Sequence, residues 1–297
     1  MKPWPSALDQ EAVTALVDAA LAEDLGPAGE DVTSAATIPP GLTGSAEIRA
    51  RSAGVVAGLP VAGLVLERAG ADVVLTASDG DQVVPGTVVL HAFGPVTRLL
   101  TAERTTLNLL CHLSGVATLT RAWVDAVAGT GAAVRDTRKT FPGLRALEKY
   151  AVRCGGGVNH RMGLWDAALV KDNHVAAAGG VAAAFAAVRA RFPDLPVEVE
   201  CDTLEQVAEA VEAGADLVLL DNMAPETMRR AVGLAAGRDV RLEASGGLTL
   251  ATAREVAGTG VDYLAVGALT HSAPVLDLGL DLVVDGRAAG HTSGDDA

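Results

Sequence analysis

Eight cations fall between Arg135 and Lys171: Arg135, Arg138, Lys139, Arg145, Lys149, Arg153, Arg161 and Lys171. Only Asp136, Glu148 and Asp166 oppose them, so this stretch carries +5 while the rest of a chain of net charge −14 carries −19. A local reversal of sign focuses anions into a cleft. A solvated helix face can also carry such a run, but His160 and the glycines of "CGGGVNHR" interrupt this one. Alone, His160 would read as a structural histidine; beside Arg161, with Lys171 one strand along, it reads as part of an anion site. Guanidinium groups grip carboxylates bidentately, so Arg138 and Arg161 suit a substrate with two carboxylates. The glycine run is no nucleotide loop, because no Gly-Lys-Ser/Thr follows and the spacing is not GxGxxG. It serves either as a turn leading His160 and Arg161 to the site or as a functional element itself.

Further along, Glu200 and Asp221 each close a short apolar run. They suit hydroxyl and Mg²⁺ recognition, since hard oxygen ligands hold Mg²⁺ bound together with phosphates; ion pairs with the nearby cations are the plainer reading. Ser245-Gly246-Gly247 precedes a helix that begins near Thr249. Free backbone N–H groups and the helix dipole make such a turn a phosphate site, although an ordinary connection would look the same. Gly267, ending the last run, can form the other side of that site. The remaining histidines and Cys111, Cys154 and Cys201 read as structural.

These residues must be positioned by elements, and the rhythm of the chain says which. "AAVRDTRK", "AALVKDNH", "VEVECD", "LVLLDN", "VRLEASGG" and "YLAVGA" are short apolar runs, most of them separated by helical segments such as "TLEQVAEAVEAG". Strands alternating with helices mean βαβ units and a parallel sheet. Every run ends in polar or glycine residues at its C-terminal edge, where a (β/α) barrel assembles its chemistry. A doubly wound sheet would share that edge, but six successive units favour a barrel. The N-terminal third differs. Val13, Leu16, Val17, Ala20 and Leu21 mark an amphipathic helix, and "SAEIRAR", "GVVAG", "ADVVLTAS" and "TVVLHAFG" are strand-like runs parted by turns. A long helix is expected from about Arg98 to Val127, interrupted at Ser114-Gly115, which marks the domain boundary. The expected domains are residues 1–115, a barrel over 116–270, and a C-terminal segment, 271–297, that returns to the N-terminal domain and ends in a disordered tail, "GRAAGHTSGDDA".

Composition narrows the class. Hydrophobic residues make up 49% and charged ones 20% of 297 residues, as in a soluble globular enzyme. Aromatics are only 3%, so Ala, Val and Leu must fill the core. No apolar run approaches the roughly 18 residues of a membrane span, and "MKPWPSALDQEAV" lacks a secretion signal. Three scattered cysteines make neither a disulfide framework nor a zinc pattern, which points to a reducing cytoplasm. The acidic total, with no aromatics among the cations, argues against nucleic acid.

The block "DTRKTFPGLRALEKYAVRCGGGVNHRMGLWDAALVKDNH" resembles the signature of the quinolinate phosphoribosyltransferases, the decarboxylating nicotinate-nucleotide pyrophosphorylases. The likeness extends through "EDLGPAGEDVTS", "AERTTLNLLCHLSG", "VEVECD", "LLDNM", "EASGGL" and "GVDYLAVGALTHS"; Phe141 and Trp165 depart from it. The resemblance implies an α/β fold: an N-terminal α/β sandwich domain, a partly open (β/α) barrel, and a homodimer with active sites at the subunit interface. It implies phosphoribosyl transfer from phosphoribosyl pyrophosphate (PRPP) to quinolinate with loss of CO₂, supported by Mg²⁺, in NAD biosynthesis. Arg138, His160, Arg161 and Lys171 would then hold quinolinate. Thr137, Lys139, Glu200, Asp221, Ser245, Gly246, Gly247 and Gly267 would hold PRPP, with Mg²⁺ near Glu200 and Asp221. Lys139, Lys171, Glu200 and Asp221 would carry the catalytic roles, and Arg104 would reach in from the partner subunit. Two other classes stay open on the residues alone: a Schiff-base aldolase using Lys171, and a non-catalytic anion-binding or scaffold protein.

Overall fold

The computed structural model describes residues 4–285, so the tail beginning at residue 286 lies outside the described residues. Among the described residues two compact units form, residues 4–118 with 274–285, and residues 119–273.

The first unit opens with α1 (Gln10–Leu25), capped by Asp9, whose carboxylate accepts from the Glu11 and Ala12 N–H groups. It continues with α2 (Val32–Thr37), β1 (Thr43–Ala50), β2 (Gly54–Val55), α3 (Leu59–Arg68), β3 (Asp72–Leu75), β4 (Gln82–Val83) and β5 (Val88–Pro95). In β1 burial alternates residue by residue, as a sheet with one covered face requires. Next comes α4 (Val96–Ala126), 31 residues without a break.

The expected interruption at Ser114-Gly115 is therefore absent, and packing explains why those residues are there. Ser114 Oγ donates to the Ala57 carbonyl and accepts the Ala57 N–H. A Cβ at Gly115 would overlap the Pro274 carbonyl. The pair thins the helix surface for close approach and leaves the helix intact.

The second unit alternates strand and helix: β6 (Ala133–Arg135), α5 (Arg145–Cys154), β7 (Ala168–Val170), α6 (Asp172–Ala178), α7 (Val181–Arg191), β8 (Val197–Cys201), α8 (Leu204–Ala213), β9 (Leu217–Asp221), α9 (Pro225–Ala235), β10 (Arg241–Ser245), α10 (Leu250–Ala257), β11 (Tyr263–Ala265) and α11 (Ala268–His271). Local chemistry sets the boundaries. Thr203 and Gln206 form a capping box on α8, Gly214 ends it in the left-handed region, and Pro225 starts α9. All six strands are parallel, in the order β6-β11-β10-β9-β8-β7. Strands β6 and β7 lie at opposite ends of that order, so the barrel is open between them. Among the described residues an isolated parallel bridge, Arg135 to Val158, lays the glycine-rich segment along the open edge at β6.

Finally β12 (Leu278–Val284) pairs antiparallel with β1, completing a sheet ordered β12-β1-β5-β3 in the first unit. No described helix is long and apolar enough to cross a membrane.

Candidate active site

Period two decides which strand residues face the barrel interior. Val197 and Val199 in β8, Val218 and Leu220 in β9, and Leu242 and Ala244 in β10 are buried and apolar. The alternate positions face inward and are largely polar. At the C-terminal edge they meet in a pocket of about 660 Å³. Thr137, Arg138, Lys139, His160, Arg161, Lys171, Glu200, Asp221, Ser245, Gly246 and Gly247 all line it, with Leu169, Leu219, Asn222, Glu243 and Ala265. Arg104, exposed on α4 in the other unit, does not line it, and neither does Gly267, which packs against Lys139 and His271. A separate hollow of about 450 Å³ in the first unit, bordered by Trp4, Leu64 and Val74 among others, gathers no cations.

One side of the pocket is cationic because the chain after β6 is held from beneath. Asp136 and Lys149 form a fully buried ion pair. Asp136 also accepts the His160 N–H at 2.9 Å, and Lys149 Nζ donates to the His160 carbonyl at 3.0 Å. Burial raises the Asp136 pKa and lowers that of Lys149, each opposed by its partner. The glycine run is a close-packed connection. A Cβ at Gly157 would press on Thr120 and Val152 at 2.8 Å, and Gly156 has φ +91°. Val158 can then donate to the Val134 carbonyl at 2.9 Å. Those glycines lead to His160 and Arg161, which line the pocket, and do not line it themselves.

Arg138 and Arg161 are left with no carboxylate within ion-pair distance among the described residues, and the buried Arg138 Nε has no hydrogen-bond partner. Burial and the neighbouring Arg138 both lower the Arg161 pKa. Two guanidinium groups crowded this way call for an anion. Thr137 Oγ1 accepts the Lys139 N–H at 3.0 Å and Thr270 Oγ1 donates to the Lys139 carbonyl at 2.8 Å, fixing the third cation.

His160 sits lower, in a buried cluster that sequence reasoning missed. Its Nε2 lies 2.8 Å from Glu198 and 3.4 Å from Glu243, and Glu243 also binds Arg135 at 2.6 Å. The neighbours disagree about the ring's charge. Burial opposes protonation, but Glu198 and Glu243 outweigh it and raise the pKa to about 9. The Arg161 N–H, 2.7 Å from Nδ1, needs the lone pair that only an unprotonated Nδ1 has. That contact decides for a neutral ring, with Nε2–H donating to Glu198 and both nitrogens partnered within the protein. His160, Glu198 and Glu243 also have the donor types of a metal site, their ligand atoms lying within 4.8 Å of one another. A proton on His160 Nε2 and the Arg135 guanidinium on Glu243 Oε2 occupy part of that donor set. Burial raises the Glu198 pKa, and Glu198 Oε1 and Glu243 Oε1 lack partners.

The ends of β8, β9 and β10 bring the acids and the turn to the same pocket. Glu200 pairs with Lys171 across β8 and β7, realising the ion-pair reading for that residue. Asp221 ends β9 and Ser245 ends β10, followed by Gly246 and Gly247 with φ of +87° and +60°. Only glycine takes two successive left-handed positions readily. Thr249 then caps α10.

Comparison with known proteins settles the family. Residues 31–114 match the N-terminal domain of quinolinate phosphoribosyl transferase and residues 116–281 match its C-terminal domain. The chain belongs to the quinolinate phosphoribosyl transferase family. It is 54% identical over 272 residues to the nicotinate-nucleotide pyrophosphorylase [carboxylating] of Mycobacterium leprae, covering 89% of this chain and 94% of that one. A probable nicotinate-nucleotide pyrophosphorylase [carboxylating] of Bacillus subtilis is 43% identical, covering 82% and 85%. Among solved structures, NadC from Streptococcus pyogenes superposes with TM-score 0.87 at 41% identity, covering 93% of this chain and 98% of that one. The two-domain α/β fold is thus the family's. Besides Glu198, Glu243 and Arg135, the sequence reading passed over Asn222, which lines the pocket in a left-handed conformation. The signal for the two glutamates was present: each lies two residues before a site residue on its strand, hence on the same face.

Proposed function

We propose that this chain transfers the phosphoribosyl group of PRPP to quinolinate with loss of CO₂, yielding nicotinate mononucleotide and pyrophosphate. The observation that carries the reading is the division of one pocket into two chemistries. Arg138, Lys139 and Arg161 have no carboxylate partner among the described residues, while Glu200, Asp221 and the Ser245-Gly246-Gly247 turn line the same pocket from the ends of β8, β9 and β10. Arg138 and Arg161 would take the two carboxylates of quinolinate, with Lys171 joining once it leaves Glu200. His160 would support that subsite by fixing the Arg161 main chain. Thr137, Lys139 and the turn would take the phosphates of PRPP, assisted by the chain around Gly267.

Positive charge builds at C1 of the ribose as pyrophosphate leaves with the bonding pair, and fixed cations stabilise that anion. The pyridine nitrogen, held by its carboxylates, donates its pair to C1. The alkylated, positive nitrogen then accepts charge from the adjacent carbon as CO₂ departs, and that carbon takes a proton. No protein nucleophile is needed. Cys201 fits this, since burial pushes its thiol up to about 12.

Glu200 and Asp221, on adjacent strands, fit Mg²⁺ in one way. They supply two carboxylates and no complete protein cage, which suits an ion held mainly by phosphates and water. When bound, that ion neutralises the leaving pyrophosphate. A Schiff-base role for Lys171 is disfavoured, because its side chain is 47% exposed and ion-paired where such a lysine must be desolvated.

The same reading makes the enzyme a cytoplasmic homodimer that completes each site with the partner's Arg104. Trp165 at 78% and Leu164 at 72% exposure leave an uncovered apolar surface on the barrel unit, as such an interface needs. Arg104 is likewise solvent-facing.

The test is turnover with PRPP and Mg²⁺, comparing quinolinate with nicotinate. An unmatched buried cation costs roughly 3–5 kcal/mol, so quinolinate should be favoured at least about 10²-fold in kcat/KM. Comparable values for the two acids would overturn the proposal.

A further inference from the structure

Asn222 has φ 51°, the only positive value at a non-glycine position among the described residues. Asparagine enters this region more readily than most residues, but still at a cost, and a residue held there is held by its surroundings. Three contacts hold it. Its N–H donates to the Ser245 carbonyl at 2.9 Å. Its side-chain Nδ2 donates to Asp221 Oδ2 at 2.7 Å. Its Oδ1 lies against Gly246, where a Cβ would overlap it. One residue thus ties the carboxylate that ends β9 to the turn that follows β10.

We infer that Asn222 is a positioning residue, clamping the Asp221 carboxylate to the Ser245-Gly246-Gly247 turn so that PRPP meets both in one fixed geometry. The inference rests on the reading that Asp221 and this turn bind PRPP. The residue type follows from the contacts. Glycine would adopt the backbone freely but has no amide to give Asp221. Aspartate would tolerate the backbone but would set a second carboxylate against the first. Asparagine meets both demands, and the bond occupies only Oδ2 of Asp221. The glycine at 246 acquires a second reason: besides its own φ of +87°, it must leave room for the Asn222 amide.

The experiment is a kinetic double-mutant cycle in the full-length enzyme with saturating Mg²⁺. Asn222→Gly relieves the backbone cost, so its melting temperature should match or exceed wild type and folding is not at issue. Its KM for PRPP should rise about fivefold, the worth of one hydrogen bond, with KM for quinolinate unchanged. Asn222→Asp should raise it further, because the new carboxylate repels Asp221. In an Asp221→Ala background, Asn222→Gly should add nothing. An equal rise in both backgrounds would show that Asn222 does not act through Asp221, and the inference would fall. So would an unchanged KM for PRPP in Asn222→Gly while Asp221→Ala raises it. If Asp221→Ala itself left PRPP use unaltered, the reading of the site would fail first and take the inference with it.

Discussion

Replacing Lys149 with methionine tests how the cationic side of the pocket is held. Lys149 and Asp136 are both fully buried, and between them they bind the His160 carbonyl and N–H. Methionine fills much of the same volume but leaves the Asp136 carboxylate without its cation. Breaking one side of such a pair costs about 3–5 kcal/mol, or roughly 6–20 °C in melting temperature at about 2–4 °C per kcal/mol. The loss should depend on pH. With Lys149 gone, burial holds the folded Asp136 pKa further above the unfolded value of about 3.9. A carboxyl raised in this way contributes fully below its unfolded pKa and loses that contribution as pH rises through the folded one. The deficit should therefore be greatest at pH 7–8 and shrink toward pH 4. Adding Asp136→Asn to Lys149→Met should return about 1–3 kcal/mol by removing the stranded charge. Denaturant melts of the three variants across pH decide the matter. A loss under about 1 kcal/mol at pH 7.5, or one independent of pH, would refute the reasoning. Because His160 and Arg161 lose their anchor, quinolinate KM should rise more than PRPP KM.

Glu200→Gln should raise the PRPP and Mg²⁺ concentrations needed for half-maximal rate and leave quinolinate affinity intact. Its melting temperature should barely move, since the pair it breaks involves a half-exposed Lys171 and is worth at most about 1 kcal/mol. Gly246→Ala should abolish PRPP use, because the new methyl would overlap the Asn222 amide, whereas Gly247→Ala, with open space around it, should cost only about 1 kcal/mol of stability. Arg104→Ala and Lys171→Ala, each nearly inactive alone, should recover about a quarter of wild-type activity after random subunit exchange, since half of all dimers then carry one intact site. Exchange without recovery would exclude a shared site.

The strand ends were legible because two independent signals coincide there: an apolar run stops, and a residue that can hold an ion or a phosphate follows. Asp221 in "LVLLDN" and Ser245-Gly246-Gly247 in "LEASGG" have both. Ser114-Gly115 misled because glycine is ambiguous. The same lack of a side chain that breaks an isolated helix lets a buried one approach its neighbour, and only the Pro274 carbonyl distinguishes the cases. Asn222 was unreadable for a related reason: its role lies in a backbone angle and in contact with Gly246, 24 residues away.

The buried charges beneath the pocket were legible in position but not in partnership. Alternation puts Glu198 and Glu243 inside the barrel, yet nothing in one sequence pairs Glu243 with Arg135, 108 residues distant, or Glu198 with His160. That pairing has a consequence for the layer above. A carboxylate inside a barrel is costly unless it is matched, and Arg161 is a cation that Glu198 feels directly. Arg135 engages one oxygen of Glu243 and the His160 N–H one oxygen of Glu198, while Oε1 of each glutamate has no partner. The guanidinium groups at the mouth form no ion pair with either acid among the described residues, although Glu198 is near enough to raise the Arg161 pKa against burial. The floor of the barrel holds one oxygen of each glutamate on Arg135 or His160, and the Arg138 Nε at its rim, likewise without an internal partner, is left to an external anion.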